Sequence, residues 1–314
     1  NFKDITATSG LATQQQFNNG AIFADVNGDG FDDLFIGGVI HLYDDMTIEK
    51  APFALWLNTG QMSFINSTSS SGLSFKHNIF SSSFSDIDKD GDLDVAFAHW
   101  NTENATSKES IWLNNGEGVF TDINTTVPGA FQNWHSDTWS FTPSFSDINN
   151  DGWPDMLFVG DFESTQYFLN RMGTWFFNKT APDVITDENG MGSAIGDFDN
   201  DGHLDWFVSS VFDPRKDITD KRQNWGVSGN RLYRNLGNGK FEDVSSNAGI
   251  RDGGWGWGSC FADFNLDGHL DIFHTNGFIL PEPLPDFMQS AKHFVNEAPR
   301  LFINQGDGRF IDET

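Results

Sequence analysis

A nine-residue acidic motif occurs five times in this 314-residue chain and constrains its fold more than any other feature. Each copy has Asp or Asn at its first, third, fifth and ninth positions and Gly at its sixth. A loop with this spacing can turn its side-chain oxygens, and the backbone carbonyl of its seventh residue, onto one point. Such an oxygen cage suits a hard cation, and Ca²⁺ fits it best. The turn at the sixth position needs a positive φ, which favours glycine.

The first, third, fifth, seventh and ninth residues of each copy are therefore the predicted cation ligands. They are Asp25, Asn27, Asp29, Phe31 and Asp33; Asp86, Asp88, Asp90, Asp92 and Asp94; Asp147, Asn149, Asp151, Trp153 and Asp155; Asp197, Asp199, Asp201, His203 and Asp205; and Asp263, Asn265, Asp267, His269 and Asp271. The pattern predicts about five structural Ca²⁺ ions. Two alternatives stay open, namely hydrated turns that bind no ion and a calcium that takes part in catalysis.

The residues after each motif exclude an EF-hand. An EF-hand loop needs a bidentate Glu at its twelfth position and a helix on both sides. Apolar residues or His occupy that position here, at Ile36, Phe97, Phe158, Val208 and His274. Each motif leads into a short β-branched or aromatic run, which is typical of a buried strand. The acidic loops are therefore expected to join strands.

The copies begin 61, 61, 50 and 66 residues apart, and a second signature shares this period. It is an Asn- and Gly-containing turn followed by a strand that opens on Phe, which indicates a hairpin. Each repeat then holds four strands, the first rich in small residues. Four-stranded repeats of this kind predict an all-β fold, a β-propeller of four-stranded blades whose crowded inner strands need small side chains.

The repeats divide one predicted propeller domain, 1–314, into segments 2–63, 64–119, 120–175, 176–240 and 241–309, with a final strand at 310–314. A fourth strand without its own blade is predicted at Phe2–Thr6. Either one terminal strand is redundant in a five-bladed ring, or the chain is part of a longer ring, for example of seven blades; we favour the second. The start at Asn1, without Met, is expected for a mature or trimmed chain.

Several stretches of this sequence resemble a known family. The acidic motifs are similar to the calcium repeats of the FG-GAP/VCBS type, which also occur in integrin α-subunit propellers. More narrowly, three segments resemble the secreted ASPIC/UnbV (cartilage acidic protein-like) group: 150–158 (NDGWPDMLF), 229–241 (GNRLYRNLGNGKF) and 254–263 (GWGWGSCFAD). The resemblance implies a secreted calcium-binding propeller. The C-terminal segment that defines the narrower group does not occur in this sequence.

The net charge of the chain limits the kinds of molecule that it can bind. Acidic residues outnumber basic ones by 45 to 18, which gives a net charge of −27. Five bound Ca²⁺ would leave about −17, so nucleic acid and anionic lipid should be repelled. No apolar run approaches the ~20 residues of a membrane span. The single cysteine, Cys260, is expected to be buried. A secreted chain could carry glycans at four sequons, Asn66, Asn104, Asn124 and Asn178.

Recognition is predicted at the strand ends away from the acidic loops. The connections there are long and variable, at 38–52, 99–109, 126–142, 211–229 and 276–299, and variable loops on a rigid scaffold commonly bind ligands. Aromatic and histidine side chains suited to a glycan or a protein fall in or near them. These candidate ligand-binding residues are His99, Trp100, Trp134, His135, Trp139, Trp225, Trp255 and Trp257. Trp56, Trp112, Trp175 and Trp206 are expected in the core.

Two functions fit these features. The first is an extracellular binding or adhesion module for a protein or a glycan, and the second is a carbohydrate-active lyase or hydrolase using the same face. No nucleophile elbow, zinc motif or phosphate loop occurs in the sequence. His99, His135 and His274, with Asp137 and Asp161, are the acid/base candidates, but nothing in the sequence fixes their distances. No catalytic residue is therefore assigned.

Overall fold

The computed structural model describes residues 2–11, 18–38, 53–74, 78–100, 111–133, 139–215, 226–277 and 286–314. The chain divides into two compact units, Asn1–Phe145 with Asn170–Phe177, and Ser146–Leu169 with Asn178–Thr314. Both units are built mainly from antiparallel β-sheet.

The described residues form five sheets, four of which have four strands in sequential order. The first holds β1 (Asn18–Ala24), β2 (Asp33–Gly38), β3 (Phe53–Asn58) and β4 (Phe64–Asn66). The second holds β5 (Ser82–Ser85), β6 (Asp94–Phe97), β7 (Ile111–Asn114) and β8 (Phe120–Asp122). The third has the order β10-β11-β12-β13-β9, from β9 (Phe131–Gln132), β10 (Trp139–Ser146), β11 (Asp155–Asp161), β12 (Gln166–Arg171) and β13 (Trp175–Asn178).

The last two sheets follow the same plan. The fourth holds β14 (Gly192–Gly196), β15 (Asp205–Ser209), β16 (Arg231–Asn235) and β17 (Phe241–Asp243). The fifth holds β18 (Gly256–Ala262), β19 (Asp271–Asn276), β20 (Arg300–Asn304) and β21 (Phe310–Asp312). Helix is confined to α1 (Ile123–Thr126), α2 (Ser245–Ala248) and a 3-10 helix (Asp286–Asn296) among the described residues. The predicted all-β class and four-stranded repeat are confirmed, and the arrangement is consistent with a propeller-like fold.

Each acidic motif lies in the turn between the first and second strands of a sheet. We number these loops 1 (25–33), 2 (86–94), 3 (147–155), 4 (197–205) and 5 (263–271). The strand register closes immediately around four of them. The closing pairs are Ala24 with Asp33, Ser85 with Asp94, Gly196 with Asp205, and Ala262 with Asp271. The loops therefore join strands, as the sequence predicts.

The second strands of the first four sheets are buried on both faces almost throughout, which explains their continuous apolar sequences. All residues of β6, β11 and β15 are buried. In the first unit, aromatic and aliphatic side chains pack between the first two sheets around Phe35, Phe97 and Trp112. In the second unit, Trp206 and Tyr233 are completely buried with Phe241 in one cluster, and Phe207 and Phe302 centre another.

Small residues on the inner strands are needed for close approach, as predicted. In the second unit, Gly192 of β14 faces the neighbouring strand β18, and a Cβ at this position would meet the carbonyl of Trp257. The Oγ of Ser209 donates a hydrogen bond to that carbonyl and accepts one from the Gly192 amide. A larger residue at position 192 would push the two sheets apart.

Two predictions about strands are wrong. Phe2–Thr6 forms no strand: the Ile5 carbonyl accepts hydrogen bonds from the amides of Thr8 and Ser9, which closes a turn instead of a ladder. Residues 126–142 were expected to be a connection only. They contain β9, which pairs in parallel with β13 through Phe131 and Phe176, whose rings stack 5.1 Å apart.

Two predictions about burial are also wrong. Cys260 is exposed, because β18 is an edge strand whose side chains alternate between the two faces and Cys260 falls on the open one. Trp175 is 38% exposed, because it begins β13 and the inward position there belongs to Phe176. The other three tryptophans expected in the core, Trp56, Trp112 and Trp206, are buried.

Candidate metal centres and the opposite strand ends

The first Asp of each loop organises the turn by accepting backbone amides. In loop 4, Oδ1 of Asp197 accepts the amide of Asp201 at 3.0 Å, and Oδ2 accepts that of Gly202 at 2.9 Å. Asp25, Asp147 and Asp263 make the same pair of bonds in loops 1, 3 and 5. The amide of each seventh residue is held in turn by the fifth side chain. These bonds hold the loop in a curled form.

The sixth glycine is required by backbone conformation and not by space. Its φ lies between 85° and 101° in all five loops, at Gly30, Gly91, Gly152, Gly202 and Gly268. A Cβ built at four of these positions meets nothing within 4 Å. A side chain would therefore fit but would strain the backbone in a left-handed conformation.

The ninth Asp is a buried anchor. Asp205 is completely buried; its Oδ2 accepts the amide of Phe198 at 3.1 Å and its Oδ1 that of Asn235 at 2.7 Å. Asp94 makes the equivalent bonds in loop 2. Burial raises the pKa of Asp94 and that of Asp205 to about 7, despite the amide donors that oppose the shift. A nearby cation would relieve this cost.

Loops 2 and 4 fit a divalent cation most directly. One carboxylate oxygen from each of Asp86, Asp88 and Asp94 lies within 4.8 Å of the others, and Asp197, Asp199 and Asp205 form the same group. Among the described residues, the Oδ1 of Asp86 is buried and has no hydrogen-bond partner, as expected of a carboxylate oxygen that binds a cation. Burial, and then repulsion from Asp90, raise the pKa of Asp88. Crowded hard oxygen donors of this kind match calcium chemistry.

The third position differs among the loops. In loops 1, 3 and 5 it is an Asn whose amide donates to the Oδ2 of the fifth-position Asp, at 3.1, 3.0 and 2.8 Å. In loops 2 and 4 it is an Asp, which cannot donate. Those two loops therefore have one more carboxylate among the first, third, fifth and ninth positions.

An asparagine that ends the third strand ties neighbouring repeats together. The Nδ2 of Asn235 donates to the carbonyls of Leu204, in its own repeat, and Ile148, in loop 3 of the preceding one. Asn114, Asn170 and Asn304 reach the corresponding carbonyls of Val26, Ile87 and Phe198. The sequence alone predicts only a hairpin role for these asparagines, and their recurrence before each glycine turn is the signal for this second role.

Comparison with known families agrees with this repeat geometry. The model of the FG-GAP-like repeat matches residues 25–97, 147–208 and 222–274, which is more than half of the chain. The chain belongs to the FG-GAP-like repeat family. The matched segments contain all five acidic loops. The narrower likeness to the ASPIC/UnbV group and to integrin propellers stays a prediction, and no curated protein matches the chain.

Solved structures give weaker likenesses. The chain is similar to a proposed exo-β-1,3-galactanase from Bifidobacterium bifidum s17 (10% identity, TM-score 0.47, covering 98% of this chain and 94% of that one). It is also similar to the V. cholerae biofilm matrix protein Bap1 (14%, 0.48, 96% and 40%) and to an ancestral GH74 enzyme (13%, 0.45, 83% and 30%). The chain thus spans less than half of the last two proteins.

At the strand ends away from the loops of the FG-GAP-like repeats, the structure brings two candidate ligand residues together. The rings of Trp100, just after β6, and Trp139, at the start of β10, have centroids 5.5 Å apart. Trp100 also stacks on Phe141 at 5.8 Å, and Phe80 packs edge-on against both Trp100 and Phe141. Trp100 and Trp139 are half-buried, so part of each indole faces solvent. We call these four rings the aromatic cluster.

The other candidates are placed differently. His99 is 4% exposed, and its Nδ1 lies 2.9 Å from the Asn78 carbonyl. Trp255 and Trp257 are half-buried in the second unit, and the Nε1 of Trp257 donates to the Gly277 carbonyl. Trp134, His135, Asp137 and Trp225 lie outside the described residues, as does most of the predicted insertions. Of the sequons, Asn66 is exposed, Asn124 and Asn178 are half-buried, and Asn104 is also outside them.

In the second unit, a group of charged side chains lies at the strand ends away from the acidic loops. Asp213, 3% exposed, accepts two hydrogen bonds from the guanidinium of Arg215, both 2.8 Å long, and the Nε2 of His293 lies 3.8 Å from its Oδ1. The hydrogen bond from Arg215 keeps the pKa of Asp213 below its usual value. Nearby Glu297 accepts the amide of Trp255, and burial raises the pKa of Glu297. His293 acts electrostatically on both carboxyl groups.

His274 and Asp161, both acid/base candidates, are buried. Asp161 accepts a hydrogen bond from Asn189 at 2.7 Å, and the Nε2 of His274 lies 3.1 Å from the Nδ2 of Asn230. Burial lowers the pKa of His274 to about 4. The folded protein therefore holds this ring neutral at a pH where the unfolded chain protonates it.

We expect this histidine to make the protein less stable in acid. Between pH 6.5 and 4 the unfolded chain binds the proton first, so the free energy of unfolding should fall by about 3 kcal/mol at the acid end. Urea unfolding at several pH values in saturating Ca²⁺ measures the slope. His274→Gln should reduce the slope of the unfolding free energy against pH. His293→Gln, which changes a more exposed ring, should have the same slope as wild type. An identical slope in His274→Gln and wild type would contradict the assignment.

The described residues include no helix that is both long and apolar enough to cross a lipid bilayer.

Proposed function

We propose that this chain is a calcium-stabilised β-propeller module that works outside the cell and binds a glycan or a protein at the strand ends opposite the acidic loops. Calcium is the structural cofactor in this proposal. The observation that carries it is the group of converging oxygens in loops 2 and 4, together with the partnerless Oδ1 of Asp86. Loops 1, 3 and 5 would hold Ca²⁺ with the same first, fifth and ninth carboxylates and an Asn oxygen.

The proposed separation of calcium binding from ligand recognition follows from the order of the strands. The loops occupy one end of each sheet, where they are short and uniform in length, and the long connections leave from the other end. Bound calcium would neutralise the repelling carboxylates and stiffen each first hairpin. The variable end then remains available for recognition. Millimolar extracellular calcium would keep sites of this class largely filled.

The aromatic cluster supports the binding role. Indole faces beside polar groups suit the apolar faces of sugar rings and the hot spots of protein interfaces. Trp100 follows β6 and Trp139 begins β10, so two separate parts of the chain together form one surface feature. A glycan is the simplest partner because stacking does not require charge complementarity with a strongly acidic protein.

A glycan array followed by calorimetry with the best oligosaccharide tests this function. The variant Trp100→Ala with Trp139→Ala should weaken binding about tenfold or more while the calcium-dependent melting temperature changes little. Trp175→Ala removes an exposed indole outside the cluster and should bind like wild type. If the double variant and Trp175→Ala bind the oligosaccharide with equal affinity, glycan binding at this surface is wrong. An array that shows no ligand for the calcium-loaded protein would also count against it.

The second candidate function is a carbohydrate-active enzyme, and one observation favours it. The Nε2 of His293 lies 3.8 Å from Asp213 and the same ring acts electrostatically on Glu297, and the surroundings of the two carboxyl groups shift their pKa values in opposite directions. Such a pair is typical of acid/base chemistry. A panel of polysaccharides assayed for new reducing ends tests it: activity lost in both Asp213→Asn and Glu297→Gln, but kept in Asp307→Asn, would establish the enzyme over the binding module.

A further inference from the structure

Among the described residues, loop 4 is the acidic loop in which an arginine pairs with two of the carboxylates. The Nε of Arg234 lies 2.6 Å from the Oδ2 of Asp199, and its Nη2 lies 3.0 Å from the Oδ2 of Asp201. These are the third and fifth positions of the loop, two of its four predicted side-chain ligands. The Arg234 side chain is 38% exposed, and the side chains of Asp199 and Asp201 are 18% and 28% exposed. A fixed positive charge thus sits against the group of oxygens that could hold a metal ion.

The sequence places this arginine in only one repeat. It precedes the asparagine that ends the third strand, and the residues at the same position of the other repeats are Leu57, Leu113, Leu169 and Ile303. Arg234 is held firmly in place, because the next residue, Asn235, is bonded to Asp205 and to the Leu204 carbonyl. The side chain of Arg234 therefore begins directly beside loop 4.

Arg234 takes over the task that an Asn amide performs elsewhere. In loops 1, 3 and 5 the third-position Asn donates to the Oδ2 of the fifth-position Asp. Loop 4 has Asp199 at that position, and the matching oxygen of Asp201 accepts its bond from Arg234 instead. Loop 2 also has an Asp at its third position, Asp88, but Leu113 stands where loop 4 has Arg234. Loops 2 and 4 therefore share their four ligand carboxylates, and they differ at the fourth and seventh positions, which are Lys89 and Asp92 in loop 2 and Asn200 and His203 in loop 4.

We propose that Arg234 is an internal counter-ion that competes with calcium for loop 4, so that this loop binds Ca²⁺ more weakly than loop 2 and needs it less. This inference rests on the proposed calcium function. An arginine cannot lose its charge at any physiological pH, so it can leave the loop only by moving away. A cation entering loop 4 must either displace the guanidinium from Asp199 and Asp201 or share their charge with it. Both routes cost affinity.

The consequence is a graded response to calcium. When calcium is scarce, the carboxylates of loop 4 are already partly neutralised, so the fourth sheet should keep its first hairpin. Loop 2 has the same four ligand carboxylates, with Asp92 at its seventh position balanced by Lys89 at its fourth, and Leu113 in place of the arginine, so it should depend on the ion more than loop 4 does. The fourth repeat would then act as a calcium-independent support for the second unit.

Calorimetric calcium titration of the whole chain tests this, with Arg234→Leu as the main variant. Leucine is the natural residue at this position in three repeats, so the backbone should tolerate it. We expect one site of the weaker class to gain about tenfold in affinity, the equivalent of about 1.4 kcal/mol. Arg234→Gln, which keeps a polar side chain without the charge, should act in the same direction and covers the case in which Arg234→Leu folds poorly.

Two further variants sharpen the result. Leu113→Arg introduces the same charge beside loop 2 and should move one tight site to the weaker class. Arg300→Leu removes an arginine that pairs with Asp312 at 3.0 Å on the fifth sheet, outside any acidic loop, and should leave calcium affinity unchanged. As a second readout, Arg234→Leu should lower the melting temperature more in chelator than in saturating Ca²⁺.

The outcomes separate this inference from the function on which it rests. If wild-type protein takes up no calcium, the proposed function fails. If wild type binds calcium and neither Arg234→Leu nor Arg234→Gln changes any affinity, calcium binding stands and the counter-ion role of Arg234 is wrong. An equal gain in affinity in Arg300→Leu would also overturn it, because the effect would then come from net charge alone.

Discussion

Chelation of calcium should lower the melting temperature of this protein by on the order of 10 °C. A site with a Kd of about 10⁻⁴ M stabilises the folded state by about 2.7 kcal/mol when calcium is present at a hundred times that concentration. Several such sites act together, and a chain of this size loses a few degrees for each kcal/mol. The clustered carboxylates of loop 2 would also repel each other once the ion is removed.

Scanning calorimetry with EDTA and with 10 mM CaCl₂ (about a hundred times Kd) at constant ionic strength provides the measurement. Mg²⁺ in place of Ca²⁺ should raise the melting temperature much less, since Mg²⁺ is smaller and keeps most of its bound water. Asp86→Asn should lose the part of the calcium-dependent rise in melting temperature that one site contributes. Asp307→Asn, at an exposed acid outside the loops, should keep all of it. A melting temperature that does not respond to calcium would leave the loops as hydrated turns.

The acidic loops were predictable because their chemistry is local. Nine consecutive residues contain the oxygens, the sixth glycine and the following buried strand, so the sequence pattern nearly specifies the structure. The positive φ at Gly91 and Gly202 and the burial of Asp94 and Asp205 follow from that pattern. The presence of the ions stays a prediction.

The features that the sequence missed depend on neighbours that are distant in the chain. Arg234 reaches Asp199 from 35 positions away, and Asn235 reaches Ile148 from 87. No local pattern shows which strand will lie beside which loop. The exposed Cys260 was misjudged for a similar reason, since an apolar setting in sequence does not tell which face of an edge strand is covered.

The asparagine that links repeats gives the second large effect. Asn235 is completely buried, and Asn235→Ala should cost about 3–5 kcal/mol. The substitution leaves the carbonyls of Ile148 and Leu204 without their donor, and the amide of Gly237 loses its acceptor, the Oδ1 of Asn235. Urea unfolding in saturating Ca²⁺ measures the loss. Asn304→Ala, which breaks the same type of contact, should behave alike.

Gln305→Ala is the matched control, because its Nε2 bonds to the Ile303 carbonyl at an exposed position; it should cost less than about 0.5 kcal/mol. Asn235→Asp then separates a structural clamp from a metal ligand. A carboxylate facing the carbonyls of Ile148 and Leu204 repels both, so a clamp predicts an even greater loss of stability than Asn235→Ala. A metal ligand predicts the reverse, a gain in calcium affinity from the added charge. Only the first result agrees with hydrogen bonds of 2.8 and 3.0 Å donated by this side chain.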